Sequence, residues 1–503
     1  MIDDSNGAKR AKVKLGNWFD VAVFLLLSIL VIVALLSKLV QYYGFQIHDL
    51  DTGIYSNLVW NLVNGNWFYS GVLNRNHLGE HFAPIIVVFA PFFIFHPSPV
   101  WLLGAQGLAV GTTYVLLYFI AVKIFCEANT NFAKPLAVVF AIWAFFYRPL
   151  TSALLFEFHP STLATPLLAA AFLAMLHNRD RVLWMLVASL ILSKENAPLA
   201  VLGLGCYAWL VLSRPRLGIT LSAVACVSAV LILGVVMPLS RSDHWEHYSR
   251  LGPFASLRFK ALYSVQLVKA LAYLPLASWR SLVCAVPLVG LNLSVAYYPQ
   301  FSRCSHYDDF ASVFLVVAAM HGAVVVLRAV GSAFKDWRAI ATYIFLVLVA
   351  LLLTEPTASA IFSLQGSWFS YDERQVQRKP AVYRRLADLL LPEPAPCRAI
   401  SNLQWISNEE RQLYRELAAY RSLPFEIGIA AQSVLGPYLS ARPRYVPIFS
   451  AAKGVDTWRL KPGDKVIMTP IRDSDGLERV LEGNPTLSRV FVSPVLHVYE
   501  VNP

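Results

Sequence analysis

Paired cysteines, glycine-rich phosphate loops, internal repeats and low-complexity tracts are all missing from these 503 residues, and charge is scarce. With no CxxC pair among six cysteines, there is no thioredoxin-type or zinc-ribbon motif. Cys126, Cys206, Cys226 and Cys284 fall in or near apolar spans, which leaves Cys304 and Cys397 as the two that could meet in an oxidising compartment. Lacking a phosphate fingerprint, the chain is expected to use neither a nucleotide nor a redox cofactor. Charged residues make up 15% of the chain against 57% hydrophobic and 13% aromatic, a balance that excludes a soluble globular protein. The net charge of +11 is largely explained by basic loops meeting anionic lipid, so the expected partner is a bilayer and not nucleic acid.

What is present is a series of apolar runs from Phe19 to Leu353, suited to a hydrocarbon core of roughly 30 Å. Spans are read at 19–41, 100–122, 134–151, 160–177, 183–193, 196–213, 217–239, 261–278, 281–298, 308–330 and 339–354, about eleven crossings. The first is too long for a signal peptide and has no cleavage site, so it stays as a helix. Lys9, Arg10, Lys12 and Lys14 place residues 1–18 in the cytoplasm. Threaded from there, Lys123, Lys134, Arg179, Arg181, Arg214, Arg216, Arg280, Lys335 and Arg338 all fall on the cytoplasmic side. Residues 84–95 are apolar but too short to cross, and a crossing there would invert every later loop. They are read as re-entrant or interfacial. The fold class is therefore mainly α: a polytopic membrane domain over 19–354 with a large outer loop at 42–99, followed by a soluble extracytoplasmic α/β domain at 355–503. In that tail 378–391 and 408–420 read as helices. Ile427–Ala431, Tyr445–Phe449, Lys465–Thr469 and Arg489–Tyr499 alternate like strands, the last as a hairpin around Ser493-Pro494.

The threading gathers the unusual polar residues on the outer face. Asp49 and Asp51 follow the first span, and either carboxylate suits a general base or a metal ligand. The alternative for Asp51 is capping of the helix that Asp51-Thr52-Gly53-Ile54 opens. His77-Leu78-Gly79-Glu80-His81 has the H-x-x-E-H spacing of inverted zinc peptidases, but Gly79 and Pro84 argue against a firm helix and no third ligand follows. A divalent ion held by His77, Glu80 or His81 with Asp49 or Asp51 is one reading, and a hydrogen-bonded polar network is the other. Lys194-Glu195 turns between two apolar segments, where Lys194 either faces a lipid-linked phosphate or pairs with Glu195. Arg241, Arg250 and Arg303 are further phosphate candidates. Asp243 through Tyr248 reads as a solvated loop, His159-Pro160 as a helix start, and Trp60, Trp67, Phe68 and Tyr69 as interfacial anchors or a sugar-facing surface.

Asp51 through Asn61, Asn64-Gly65, Asn76 through Pro84 and Pro97 through Gln106 resemble the bacterial polytopic family known as domain of unknown function 2079. His159-Pro160, Lys194-Glu195, Arg250-Leu251-Gly252 and His306-Tyr307 follow in that family's order, so the resemblance covers most of 45–320 with a weaker echo at 426–471. The chain departs from the family at Ser56-Asn57, where an acid and a glutamine are common, and at Tyr438, where histidine is frequent. Were the missing acid catalytic, the chain would be inactive or would use Asp49 instead.

The family is similar in layout to the C-type (GT-C) glycosyltransferases. That likeness implies a bacterial inner-membrane enzyme that transfers a sugar from a polyprenyl-phosphate carrier to an extracytoplasmic glycan, lipid or protein acceptor. In this reading Asp51 and Asp49 are catalytic. Lys194, Glu195, Arg250, His159, His306, Tyr307 and Trp60 bind substrate, and His77, Glu80 and His81 hold any divalent metal. The alternatives are a transporter or flippase, whose charges would run through helix interiors, and a scaffold for envelope assembly that works through its tail. Here most charges sit at outer helix ends, Lys269 being the main exception.

Overall fold

The computed structural model describes residues 18–47, 49–128, 133–241, 251–303, 305–333, 406–448, 460–473 and 476–503, without the side chains of 49–50, 298, 330–333 and 472. Arg250, Cys304, Cys397, the 243–248 cluster, the span expected at 339–354 and the helix expected at 378–391 lie outside the described residues.

Helix α1 (Trp18–Tyr43) has 26 residues, about 39 Å at 1.5 Å per residue, enough to cross a bilayer. The loop after it holds α2 (Ile54–Val63), a short hairpin of β1 (Tyr69–Ser70) and β2 (Arg75–Asn76), and α3 (Ala90–Phe95). Then come α4 (Val100–Glu127), α5 (Ala133–Phe146), α6 (Arg148–Leu155), α7 (Pro160–Leu163), α8 (Thr165–Leu176), α9 (Asp180–Ile191), α10 (Ala197–Leu210) and α11 (Pro215–Leu231). The series closes with α12 (Met237–Leu239), α13 (Leu257–Lys269), α14 (Leu274–Ala277), α15 (Trp279–Val283), α16 (Val286–Ser294) and α17 (Asp309–Ala333).

Among the described residues, four helices are long and apolar enough to cross a membrane (18–43, 100–127, 215–239 and 306–329). A fifth is added if α5 and α6, bent by 52°, count as one span. Helices also stand at the other expected positions within the described residues, but they are short. Prolines at Pro160, Pro166, Pro275 and Pro287 sit in the first turns of new helices, where the missing N–H costs nothing and the preceding helix is cut off. The expected count of about eleven therefore read several interrupted segments as whole crossings. Residues 84–95 form a two-part helix of 12 residues with Val88, Phe92, Ile94 and Phe95 exposed, and Ile85 donates to the Leu192 carbonyl at 3.0 Å.

Two glycines let α1 and α4 touch closely. A Cβ on Gly107 would lie 2.8 Å from Leu35 Cα, and one on Gly111 would lie 2.8 Å from Val31 Cα. At one end of this bundle Lys134 pairs with Asp20 at 2.6 Å, and Arg214 pairs with Asp180 at 2.7 Å. Both join helix ends that the basic-residue threading puts on one side.

The tail begins its described part with α18 (Asn408–Arg421), opened by a capping box in which Ser407 and Glu410 satisfy each other's backbone N–H. Strands β3 (Ile429–Gln432), β4 (Tyr445–Ile448), β5 (Lys465–Met468), β6 (Leu487–Val492) and β7 (His497–Val501) form one sheet ordered β4-β3-β5-β7-β6. The β3 pairings are parallel and those of β7 antiparallel. The expected strands are all present, and the hairpin turns at Ser493-Pro494 as read. Short helices α19 (Gly436–Leu439) and α20 (Leu477–Glu482) flank the sheet. One hydrophobic core joins tail to membrane domain: Leu413, Leu417, Leu435 and Tyr438 pack with Tyr42, Phe45, Tyr55 and Leu58.

Candidate functional site

The site is built on a break in the helical bundle. Where α6 ends, residues 156–159 run extended, and the last carbonyls of α6 need donors. Three side chains from other helices supply them. Lys38, buried in α1, donates to the Phe156 carbonyl at 2.6 Å and to Gln41 Oε1 at 2.8 Å, and Gln41 donates to the Leu155 carbonyl at 2.6 Å. From α4, the Gln106 amide reaches the Ala153 carbonyl at 3.0 Å and the Phe156 carbonyl at 3.2 Å, while its oxygen accepts from His159 N at 3.0 Å. The segment Phe156–His159 is thereby fixed like a shelf between α1 and α4.

On that shelf Glu157 grips the turn carrying Asp51. Its Oε2 accepts from Asp51 N at 3.1 Å and Thr52 N at 3.2 Å, and Phe158 N donates to Thr52 Oγ1 at 3.1 Å. Asp51 Oδ1 lies 3.4 Å from His159 Nε2, with about a quarter (26%) of the aspartate side chain exposed. The N-cap of α2 is Gly53 with no side-chain cap, so the capping role expected as the alternative for Asp51 is not filled. Burial and the nearby Glu157 carboxylate push the Asp51 carboxyl well above the usual range, and Lys194 opposes them. Burial and the neighbouring His306 drive His159 well below the usual imidazole range, so it is neutral. The His159 and His306 rings stack with centroids 3.3 Å apart and planes 19° apart, and Tyr307 lies against His306 at 4.2 Å.

The α9–α10 turn closes another side. Glu195 Oε1 bonds His81 Nδ1 at 2.8 Å and its Oε2 accepts from Phe82 N at 3.1 Å. Burial raises the Glu195 carboxyl, but His81 and Lys194 outweigh it and bring it down to about 2. Glu195 is thus committed to His81 and does not neutralise its neighbour Lys194. That lysine is 5% exposed and, among the described residues, has no hydrogen-bond or ion-pair partner. Its charge still reaches Asp51, His77, His159 and Glu195. A buried ammonium that makes no direct ion pair among the described residues is costly, which marks it as a functional group. Tyr55, one turn beyond Asp51, packs edge-on to His77 at 5.0 Å and to His159 at 6.1 Å.

Several expectations need correction. His77, Glu80 and His81 do not converge: Glu80 turns to Arg75 at 3.0 Å, His81 is held by Glu195, and among the described residues no three His, Cys, Asp or Glu side chains come together as a metal site. The reason is local, since the backbone makes one 3₁₀ turn at His77–Gly79 and then leaves helical geometry. Trp60 is also away from the cluster, packed 5.3 Å from Phe425 of the tail. Arg241 is occupied with the Gly79 carbonyl at 2.5 Å. The Asp49 side chain and Arg250 lie outside the described residues. Glu157, Gln106, Lys38 and Tyr55 were not singled out. A lysine within the apolar α1 and a glutamine within α4 were the available signals, because polar groups in such helices need partners.

A profile of a family described as predicted membrane protein (DUF2079) matches residues 41–453. No curated protein matches the sequence. In structure, the chain is similar to ArnT from Cupriavidus metallidurans in two crystal structures. One is bound to undecaprenyl phosphate (TM-score 0.51, 12% identity, 96% of this chain and 97% of that one). The other is the apo state (TM-score 0.52, 14% identity, 95% and 98%). The two proteins share a fold across their whole lengths.

Proposed function

This chain belongs to the DUF2079 family of predicted membrane proteins, and from that premise we propose that it is a membrane glycosyltransferase whose donor is a sugar on a polyprenyl phosphate. Lys194 carries the reading. It is a buried ammonium that makes no ion pair among the described residues, and its charge bears on the Asp51 carboxyl. The fold shared with ArnT, crystallised with undecaprenyl phosphate, supports a lipid phosphate as that anion. The site lies on the extracytoplasmic face, as the basic amino-terminal segment and the Lys134 and Arg214 ion pairs suggest.

In this mechanism the lipid phosphate sits at Lys194. Asp51, made more basic by burial and by Glu157, takes the proton of an acceptor hydroxyl. The acceptor oxygen bonds to the anomeric carbon as the carbon–oxygen bond to phosphate breaks. The phosphate leaves with that electron pair, stabilised by Lys194, and the anomeric centre is inverted. No step is routed through a metal.

Two variants test this in nanodiscs. Lys194→Met is expected to abolish binding of undecaprenyl phosphate. Asp51→Asn is expected to leave that binding intact while cutting transfer of a radiolabelled lipid-linked sugar by about 10²-fold or more. Undiminished lipid binding by Lys194→Met removes the basis of the assignment.

A further inference from the structure

Six buried polar atoms on four adjoining side chains have no hydrogen-bond partner among the described residues: Tyr55 Oη, both nitrogens of His77, His159 Nδ1 and both nitrogens of His306. None of the four residues is more than 3% exposed. Most buried polar atoms in native proteins are satisfied, and each orphan costs about 1–3 kcal/mol, so a group of them in one wall marks a place where something is meant to bind. The rings are contiguous. Tyr55 touches His77 and His159, and His159 stacks on His306.

Resting on the function proposed above, we propose that Tyr55, His77, His159 and His306 form a charge-neutral subsite beside Lys194 that recognises the hydroxyls of an uncharged sugar. A neutral imidazole offers one donor and one acceptor, and a phenol offers both, matching the two-way hydrogen bonding of a hydroxyl. Metal binding would need a cluster of anionic or imidazole donors, and none of three or more is found among the described residues. A carboxylate on the sugar would face Asp51 and Glu157, which adjoin His159. Burial, joined by His81 at His77 and by His306 at His159, keeps both histidines uncharged, so neither can offset such a group. An ammonium on the sugar only donates, so it would leave the phenol O–H and each imidazole N–H of the four rings without an acceptor. Selectivity arises because a wrong group leaves buried polar atoms unmatched, and a wall of this kind rejects an analogue more sharply than an apolar one does.

The experiment uses the full chain in nanodiscs. Three probes are titrated by saturation-transfer NMR: methyl α-glucopyranoside, methyl glucuronide and methyl glucosaminide at a pH where its amine is charged. Undecaprenyl phosphate binding is measured in parallel. The neutral glycoside is expected to bind at least about tenfold more tightly than either charged one, and Tyr55→Phe and His306→Gln are each expected to weaken it about tenfold, the worth of roughly 1.4 kcal/mol. Thermal melting of both variants identifies any that fail to fold, and Tyr55→Phe, which removes a single oxygen, keeps the test open if His306→Gln does not. Equal binding of a charged glycoside, or neutral binding that survives both substitutions, overturns the subsite. So does absence of all glycoside binding while undecaprenyl phosphate still binds, an outcome that leaves the glycosyltransferase reading standing. Glycoside binding without any lipid-phosphate binding has the reverse effect: the neutral subsite holds and the lipid-donor reading falls.

Discussion

At the scale of single residues, the site depends on which groups hold charge. Burial and His81 bring His77 down to about 3, and His159 is also lowered well below its usual range. Both are neutral in the fold and would take up a proton on unfolding below the ordinary imidazole value of about 6.5. Their contribution is thus fully present above that pH and is lost as pH falls, for His77 down to about 3. Each lowers stability by up to about 1.4 kcal/mol per pH unit in that window. Melting temperature measured from pH 7.5 downward should fall, and His77→Gln should fall less steeply. A flat profile for the unmodified protein contradicts the account. Asp51, Lys194 and His159 were legible because ionisable residues are conspicuous in an apolar chain. The metal reading of His77, Glu80 and His81 rested on helical spacing, which Gly79 and the early end of the turn do not sustain. Glu157 stands out in the sequence as one of the outer polar residues but shows no role there, since it accepts two backbone N–H groups from a distant turn.

Among elements, the tail strands could be read because alternation has a strict period, and α1, α4 and α17 because long apolar runs leave few alternatives. The interrupted helices could not be counted from hydropathy, which is blind to prolines that restart a helix within one apolar stretch. The break after α6 is the element that matters most. Gln106→Leu would remove the donor to the carbonyls of Ala153, Leu154, Phe156 and Glu157 and an acceptor from His159 N. We expect a loss of about 2–4 kcal/mol of stability. Hydrogen exchange should show the loss concentrated at 153–159, and uniform destabilisation would argue against the shelf.

On the scale of the whole molecule, the tail is locked to the membrane domain. Asn57 donates to the carbonyls of Ser440 at 2.6 Å and Arg442 at 3.0 Å and accepts from Gly71 N at 2.6 Å. Tyr438 donates to the Tyr42 carbonyl and stacks on Tyr42 and Phe45 at 4.6 and 4.4 Å. Of the three residues at which the sequence departs from its family's usual pattern, Asn57 and Tyr438 both serve this junction. Contacts between distant segments leave no periodic trace, so this junction was invisible in the sequence. Asn57→Leu should loosen it, seen as faster proteolysis within 406–448 while the bundle stays folded. Unchanged proteolysis would show that the aromatic stack alone holds the tail. The shelf that carries Glu157 and His159 is fixed by helices made before it, but the ring that stacks on His159 comes after it. A nascent chain leaving the ribosome carries Asp51 and Lys194 long before His306 arrives to stack on His159, so the pocket matures late, and a shortened chain ending before α17 would be inserted in the bilayer yet have no working cavity.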